Sequence, residues 1–420
     1  MRRRVWPVLV ALFVAAAAGL AAEAKLQEGD FVAVIGDSIT EQRQYSVFIE
    51  DYLLMCQPAQ KLRVTQFGWG GETADGFRRR MANDCLPFKP TVATTCYGMN
   101  DGGYRPFDPN GQGKWYRENQ KAIVESFKKA GLRLIVVGSP GVVDSDTFHH
   151  KPEDATMYNE TLSKLRDIAR EVAESQGVVF ANVFDAMMAA MTKAKTKYGK
   201  AYHVAGGDGV HPDRNGQLVM AYAFLKALGC DGNIGTITVD LADGKATATD
   251  GHKVLSCQGG TVELESSRYP FCFFGDPKAT GSTSGMIEFF PFNEELNRFT
   301  LVVKGAKADR LKVTWGKASK EFDAAALEKG INLAAEFLNN PFCEPFQAVE
   351  KAIRAQQDFE TPAIKDVINK IPTFKNLVPE EAEAFERVRA AILKRDSALH
   401  DAAAAAVVPV RHTLKVEPAQ

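Results

Sequence analysis

The stretch Phe31-Val32-Ala33-Val34-Ile35-Gly36-Asp37-Ser38-Ile39 determines the fold of the first half of the chain. Its uninterrupted apolar run predicts a strand that is buried on both faces, as in a parallel sheet. Gly36 permits a tight turn out of the strand, and Thr40 and Glu41 can begin a helix. Ser38 then lies at the carboxyl end of a strand, where open α/β sheets bind their ligands. It is therefore a candidate nucleophile.

The same alternation of strand and helix patterns continues to about residue 228. The predicted strands are Phe31–Ile35, Leu62–Phe67, Thr91–Tyr97, Leu132–Val137 and Val178–Val183. The predicted helices are a segment with helical spacing from Tyr45 to Leu53, then Tyr116–Ala130, Met157–Ser175 and Gly216–Leu228. Apolar strands separated by helices favour a parallel sheet that is covered on both faces.

Two distant segments carry polar residues of the kind that acyl transfer needs. They are Gly98-Met99-Asn100-Asp101 and Asp208-Gly209-Val210-His211-Pro212. Acyl transfer requires a nucleophile, a base and donors for an oxyanion. His211 is the candidate base, and Asp208 is close enough in sequence to reach its Nδ1 atom. Taken alone, the second segment is equally typical of a helix start.

In this order the motifs resemble those of the SGNH (GDSL-type) hydrolase superfamily, over roughly residues 28–228. The Gly-Asp-Ser serine, a glycine after the second strand, Gly-x-Asn-Asp and Asp-x-x-His match the four blocks of that family. The resemblance implies a flavodoxin-like three-layer α/β/α sandwich with a parallel sheet. It also implies a serine esterase that needs neither a cofactor nor a metal ion.

The resemblance assigns the site residue by residue. Ser38, His211 and Asp208 would form the catalytic triad, with an oxyanion hole made by the backbone N–H groups of Ser38 and Gly68 and the side chain of Asn100. The second block departs from the family, which usually has Asn-x-Gly where this chain has Gln66-Phe67-Gly68. Gly70 and Gly71 therefore remain alternatives to Gly68. Asn100 has an alternative role as a turn residue.

Other polar and aromatic residues near these motifs receive different interpretations. Asp37 and Asp101 are assigned to hydrogen bonding within loops. Asp144, Asp146, His149 and His150 match no metal-binding spacing and are interpreted as a solvated loop. His203 is a weaker candidate base because no acid stands at the right spacing. Three aromatic residues either stack on a sugar ring or pack the loops, and both readings stay open: Trp69, Tyr104 and Trp115.

The amino-terminal residues 1–24 have the pattern of a secretory signal peptide. A basic segment, Arg2–Arg4, precedes the apolar run Val8–Leu20 and the cleavage pattern Ala22-Glu23-Ala24. An uncleaved membrane anchor is the alternative. We expect export to the periplasm or the extracellular space, where disulfides form. The chain has 7 cysteines. Cys56 and Cys85 are a possible bridge, and Cys96 is expected to be a buried thiol.

The second half of the chain changes composition at residues 229–232. After the hydrolase domain, residues 25–230, we predict a β-rich accessory region over 231–322 and a helical region over 323–420. The β-rich region should contain a hairpin, Thr236–Leu241 with Lys245–Thr249, followed by the strands Thr261–Glu265, Met286–Phe290, Phe299–Val303 and Leu311–Trp315. In the helical region we expect a helix over Pro379–Leu399 and frayed ends in the final Ala-rich stretch and in Pro409–Gln420. Six phenylalanines suggest that this half packs on the hydrolase domain: Phe271, Phe273, Phe274, Phe289, Phe290 and Phe292.

Composition and resemblance together bound the function. The hydrophobic content of 45% is ordinary for a globular protein, and the formal net charge of -1 does not suggest a nucleic-acid partner. The substrate is expected to be a small ester or an acylated glycan. Exported family members with appended β domains often deacetylate carbohydrates, so the resemblance favours a carbohydrate O-acetylesterase. The alternatives are an acyl hydrolase of the lysophospholipase or thioesterase type, and a noncatalytic glycan-binding protein with this fold.

Overall fold

A computed structural model describes residues 25–149 and 154–419, so the predicted signal peptide and His150 lie outside the described residues. The first half contains a five-stranded parallel sheet with the strand order β2-β1-β3-β4-β5. Its strands are β1 (Phe31–Gly36), β2 (Arg63–Gln66), β3 (Val92–Cys96), β4 (Leu134–Gly138) and β5 (Val179–Ala181). This is the flavodoxin-like order, and the predicted fold class is confirmed.

Seven helices of this half cover the sheet in the described residues. They are α1 (Ser38–Glu41), α2 (Tyr45–Met55), α3 (Ala74–Asp84), α4 (Lys114–Lys129), α5 (Asp154–Gln176), α6 (Val183–Tyr198) and α7 (Arg214–Ala227). The sequence patterns did not indicate α3, whose arginines and Gly76 hide its apolar stripe. They also missed α6, because the predicted fifth strand extended to Val183, where Asn182 already caps the helix.

The sheet separates two apolar clusters, one on each face. Cys56 at the end of α2 belongs to one cluster, and Cys85 at the end of α3 belongs to the other. The expectation of a Cys56–Cys85 bridge is therefore wrong, because the sheet stands between the two residues. All seven cysteines lie in the described part of the chain and are free thiols there. Cys96 is buried in β3, as predicted.

The second half contributes two further sheets. One has the order β13-β10-β6-β7, and the other has the order β12-β11-β14-β9-β8. The strands are β6 (Asn233–Asp240), β7 (Lys245–Ala248), β8 (His252–Gln258), β9 (Thr261–Ser266), β10 (Arg298–Lys304), β11 (Arg310–Trp315), β12 (Ala318–Asp323), β13 (Ile331–Asn332) and β14 (Val410–Pro418). The predicted hairpin is present as the antiparallel pair β6–β7. The predicted strand Met286–Phe290 is wrong: the segment forms turns that bury Met286, Phe289 and Phe290.

The end of the chain is not frayed, and that expectation is wrong. Strand β14 lies between β9 and β11 and pairs with both, so its backbone groups are hydrogen-bonded on either side. Between β13 and β14 the chain forms the helices that were predicted in outline. The remaining helices of this half are α8 (Phe292–Glu295), α9 (Ala324–Lys329), α10 (Leu333–Glu336), α11 (Cys343–Pro362), α12 (Ile371–Leu377) and α13 (Ala382–Ala405). No described helix is long and apolar enough to span a membrane.

The two halves share one apolar core on the α2/α7 side of the sheet. The rings of Phe48 on α2 and Phe271 meet edge to face with centroids 6.2 Å apart. The Tyr52 hydroxyl donates to the Leu296 carbonyl at 2.8 Å, and Tyr222 on α7 contacts Phe290 with centroids 5.3 Å apart. The second half therefore covers apolar surface that a separate hydrolase domain would expose.

Deleting residues 231–420 should yield a fragment that aggregates, because removal of this half exposes a large apolar face to water. The check is to express 25–230 beside 25–420 and to compare soluble yield and size-exclusion behaviour. A soluble, monomeric fragment that hydrolyses aryl acetates normally would contradict the shared core.

A chain of hydrogen bonds joins the two β-sheets of the second half. The Trp315 indole N–H donates to His412 Nδ1 at 3.1 Å, so His412 carries its proton on Nε2 and faces Ser266 Oγ at 2.9 Å. The Ser266 hydroxyl lies 2.8 Å from His252 Nδ1, and His252 Nε2 lies 3.0 Å from the Ile234 carbonyl. Both imidazoles are neutral in this arrangement. Burial, with a smaller contribution from the nearby His252, lowers the pKa of His412 to about 3.

The neutral His412 should make the fold sensitive to mild acid. In the unfolded chain a histidine takes up a proton near about pH 6.5, whereas the folded chain resists this until about pH 3. The free energy of unfolding should therefore fall as the pH drops below 6.5, by roughly 2 kcal/mol between pH 7 and pH 5 from this residue. Urea unfolding at both pH values measures the loss.

His412→Gln keeps an acceptor and a donor but cannot be protonated, so its unfolding free energy should depend less on pH over this range. His203→Gln, at a partly exposed histidine in the first half, is the matched control and should retain the wild-type dependence. If wild type and His412→Gln lost the same unfolding free energy between pH 7 and pH 5, His412 would not be the source of the acid sensitivity.

Candidate active site

Ser38 is presented at the carboxyl end of β1 by a tight strand-to-helix turn. A Cβ atom on Gly36 would lie 2.1 Å from Thr40 Oγ1, so only glycine lets α1 fold back this closely. The Asp37 carboxylate caps α1 by accepting from the Ile39 N–H at 3.0 Å. Ser38 remains partly exposed, and its Oγ lies 2.8 Å from His211 Nε2. A hydroxyl in this position can pass its proton to the imidazole.

Asp208 orients His211 from the same loop. Its Oδ2 lies 2.6 Å from His211 Nδ1, and its Oδ1 accepts from the backbone N–H groups of Val210 and His211 at 2.9 Å each. Burial alone would raise the pKa of Asp208, but these hydrogen bonds lower it, so the carboxylate stays ionised. Ser38, His211 and Asp208, which are distant in sequence, are thus brought together in the order of a Ser-His-Asp triad.

The loop over residues 144–149 supports the Asp208–His211 loop, a role that the sequence did not reveal. The Asp144 N–H donates to the Gly209 carbonyl at 3.0 Å, and the His149 N–H donates to the Asp208 carbonyl at 3.1 Å. Gly209 has φ +75°, and a Cβ there would lie 2.5 Å from the Phe148 backbone. Asp144 is fully buried and pairs with Lys195 at 2.6 Å. The interpretation of this loop as wholly solvated is therefore wrong for Asp144.

The expected backbone oxyanion donors differ in one respect. The Ser38 N–H has no protein acceptor among the described residues. The Gly68 N–H, by contrast, donates to Gln66 Oε1 at 3.0 Å. Gly68 is also packed against α1, where a Cβ would meet the Glu41 nitrogen at 2.2 Å. The Gly68 N–H is thus engaged within its own loop, which favours the alternatives Gly70 and Gly71 as the second backbone donor.

A turn over Trp69–Glu72, which we call the oxyanion turn, contains these two glycines. The Glu72 N–H donates to the Trp69 carbonyl at 3.1 Å, and Gly71 at the tip of the turn has φ +71°. The N–H groups of Gly70 and Gly71 have no acceptor in the described part of the chain. Asn100 donates one side-chain N–H to the Glu72 carbonyl at 3.0 Å, so its amide lies beside this turn. We therefore expect the second backbone donor to come from Gly70 or Gly71.

The neighbouring acids stabilise loops. Asp101 accepts from the N–H groups of Ala74 and Gly98, both at 3.0 Å. Burial raises the pKa of both Asp37 and Asp101 to about 7.

His203 does have an acid near it, because Asp213 Oδ2 lies 3.6 Å from its Nδ1. Sequence spacing did not suggest this pair, but the hydroxyl of Ser38 contacts His211 and not His203.

The three aromatic residues at this edge of the sheet have different surroundings. Trp69 is covered by the Arg80 guanidinium, 4.8 Å from the ring centroid, and by the Lys365 ammonium at 4.9 Å. Tyr104 stacks on Tyr158 with centroids 4.7 Å apart. Trp115, in the first turn of α4, is 48% exposed. Of the three rings, Trp115 is thus the one with a large solvent-facing surface.

One group of described residues has ligand atoms close enough for a metal ion, and it lies away from the triad. Glu360, Asp396 and His400 are all buried, with ligand atoms within 4.8 Å of one another. His400 Nε2 lies 3.1 Å from Thr65 Oγ1 and 3.3 Å from Asp396 Oδ2, and Glu360 accepts from the Gln66 N–H at 2.9 Å. Because protein groups occupy these positions, we interpret the group as a structural network.

Comparison with known proteins agrees with this geometry. The model of the GDSL-like Lipase/Acylhydrolase family matches residues 34–219. An acetylxylan esterase from Geobacillus stearothermophilus is 22% identical over 223 residues, which are 49% of this chain and 96% of that protein. A solved structure described as a gut microbial diltiazem-metabolizing enzyme is 23% identical, with a TM-score of 0.72 over 95% of this chain and 100% of that one. The fold of both halves therefore recurs in another protein.

Asn100→Ala should lower kcat by about 100- to 1,000-fold, the usual loss for one oxyanion donor, and change KM much less. Steady-state hydrolysis of p-nitrophenyl acetate measures this, with Ser38→Ala defining the background. Asn119→Ala is the control, because Asn119 also donates a side-chain N–H to a backbone carbonyl, that of Trp115 at 2.9 Å. An Asn100→Ala enzyme with a lower melting temperature and an unchanged kcat would reduce Asn100 to a turn residue.

Proposed function

We propose that this chain, whose residues 34–219 match the model of the GDSL-like lipase/acylhydrolase family, is a carboxylic ester hydrolase that removes O-acetyl groups from carbohydrates. The observation that carries the proposal is the match to an acetylxylan esterase over nearly the whole length of that relative. We further propose that the protein acts after export, in keeping with the signal-peptide pattern of residues 1–24.

The proposed reaction uses the triad in two half-reactions. His211 Nε2 accepts the Ser38 hydroxyl proton while Oγ attacks the ester carbonyl. The negative charge that develops on the carbonyl oxygen is stabilised by the Ser38 N–H, the oxyanion turn and the Asn100 amide. The carbohydrate hydroxyl leaves with the proton from His211. Water then attacks the acyl-enzyme with His211 again as the base, which releases acetate and restores Ser38.

Trp115 supports a carbohydrate rather than a lipid substrate. Its ring is attached to the first turn of α4, which follows the same loop that carries Asn100 at the carboxyl edge of the sheet. An exposed indole offers a large apolar face, on which the apolar face of a sugar ring can stack. The charged neighbours that cover Trp69 leave that ring less available for such a contact.

The test is a substrate panel that measures acetate released from acetylated xylo-oligosaccharides and ester hydrolysis of p-nitrophenyl acetate, butyrate and octanoate. We expect acetylated oligosaccharide and aryl acetate to be hydrolysed and the octanoate to be poor. Preference for the octanoate, or no acetate released from any glycan, would reject the carbohydrate assignment.

Trp115→Ala should lower kcat/KM for the acetylated oligosaccharide by about tenfold, since a stacked ring contributes about 1 kcal/mol or slightly more. It should leave p-nitrophenyl acetate hydrolysis unchanged, because that substrate is too small to reach a separate sugar site. Phe374→Ala removes a similarly exposed aromatic ring, 41% exposed, and serves as the control. An equal loss of kcat/KM on both substrates would show that Trp115 does not act by binding the glycan.

A further inference from the structure

The carboxyl-terminal end of α11 contacts the segment that follows α1, the helix that begins at Ser38. Arg43, two residues beyond α1, donates from Nη1 to Thr361 Oγ1 at 3.0 Å and pairs through Nε with Asp358 Oδ1 at 3.0 Å. Arg43 has φ +53°, a conformation that non-glycine residues seldom adopt without support. These contacts bring the helical region of the second half to the edge of the active site.

The same end of α11 also holds the strand that leads to the oxyanion turn. Gln66 ends β2, and its Nε2 donates to Thr361 Oγ1 at 2.7 Å while its Oε1 accepts from the Gly68 N–H at 3.0 Å. The Gln66 N–H donates to Glu360 Oε2 at 2.9 Å. The Gln66 side chain therefore links the segment that leads into the oxyanion turn to the second half.

Lys365 extends this contact to the turn itself. It lies in the π-helical segment Ala363–Val367 that continues α11. Its Nζ is 2.5 Å from Glu41 Oε1 and 4.9 Å from the centroid of the Trp69 ring. Glu41 Oε2 in turn lies 2.8 Å from the position of a Cβ on Gly70. Lys365 and Glu41 are both about three-quarters buried, with side chains 25% and 24% exposed.

We propose that Lys365 is a positioning residue that fixes the oxyanion turn against α1 through Glu41 and Trp69. The turn is otherwise a two-glycine loop, and glycine restricts its own conformation weakly. An oxyanion hole stabilises a transition state only when its donors are held in place beforehand. The ammonium contacts the residue that begins the turn and the helix that carries Ser38, so it fixes the two groups of donors relative to each other. This inference rests on the proposed ester hydrolysis at Ser38.

Arg80 holds the end of the oxyanion turn, whereas Lys365 contacts its beginning. It donates to both oxygens of Glu72, at 2.6 and 2.7 Å, so the end of the turn is held from within the hydrolase domain. Trp69 begins the turn, and its backbone N–H donates to the Gly36 carbonyl at 3.1 Å. Its side chain contacts two cations, and Lys365 is the one that the second half supplies.

The experiment compares Lys365→Met with wild type on p-nitrophenyl acetate. Methionine is unbranched and only one atom shorter than lysine, and it carries no charge. We expect kcat to fall about 10- to 100-fold with KM little changed, because the donors are displaced rather than removed. The rate of inactivation by a fluorophosphonate, which forms a tetrahedral adduct on Ser38, should fall in parallel. Glu41→Gln should give the same loss, and the double variant should lose no more than either single variant.

Lys375→Met is the matched control. Lys375 lies on α12 of the same helical region and pairs with Glu386 at 2.6 Å, away from the turn, so its loss should leave kcat unchanged. Lys365→Arg should restore most of the activity. A Lys365→Met enzyme with a wild-type kcat and a lower melting temperature would make Lys365 a tether only. A raised KM with an unchanged kcat would make it a substrate contact. A wild-type protein that hydrolyses no ester would instead reject the proposed function.

Discussion

Beside the shared apolar core, the second half is held to the first by a buried polar group centred on one imidazole, that of His400 on α13. Its Nδ1 lies 3.6 Å from Glu50 Oε1 on α2, and its Nε2 lies 3.3 Å from Asp396 Oδ2. Burial alone would lower the pKa of His400, but Asp396 and Glu50 raise it to about 10. His400 is therefore a cation among buried carboxylates at neutral pH. Loss of one member of such a group leaves an uncompensated buried charge, at a typical cost of about 3–5 kcal/mol.

Around this cation, α11 is held in register by amide side chains. Gln356 Nε2 lies 3.0 Å from Glu50 Oε1, 2.9 Å from Glu360 Oε1 and 3.0 Å from the Val64 carbonyl. Gln357 donates to Glu50 at 2.8 Å. These contacts are made in one register of α11 only, so they fix its position more than they add stability. A one-residue shift of α11 would break them, and it would also displace Thr361 and Lys365 from the active-site edge.

The sequence predicted the sheet and the placement of Ser38 and Asn100 for the same reason. Both residues follow an apolar strand, and parallel strands present their carboxyl ends at one edge of a sheet. Asp208 and His211 lie instead in the loop before α7, and the family resemblance assigned them. Ser38, Asn100 and the first four strands were therefore accessible from local pattern. Pairings between distant segments were not accessible. Strand β14 is inserted between two strands about 100 and 150 residues earlier in the chain, and its alternating sequence did not indicate which partners it has.

Contacts between distant segments also decide which glycine N–H is left available as an oxyanion donor. A backbone N–H acts as an oxyanion donor only when no protein group accepts from it, and which group accepts is decided by a side chain rather than by the glycine. Here Gln66 accepts from Gly68, and its other amide atom bonds to Thr361, almost 300 residues away. An aspartate or asparagine, one methylene shorter, reaches a near neighbour but not both partners. The glutamine at this position is thus tied to the presence of α11.

The contacts between the active-site segments and α11 tie the two halves of the chain together. A catalytic domain with a merely appended module keeps the usual residues of its family around the site and makes few contacts with the module. In this chain the atypical Gln66, the strained Arg43 and the Glu41 carboxylate beside the nucleophile all have partners on α11 or on the segment that follows it. Because these three residues flank the nucleophile and the oxyanion turn, the geometry of the site is set jointly by both halves. The hydrolase fold supplies the triad, and the second half holds the donors in place.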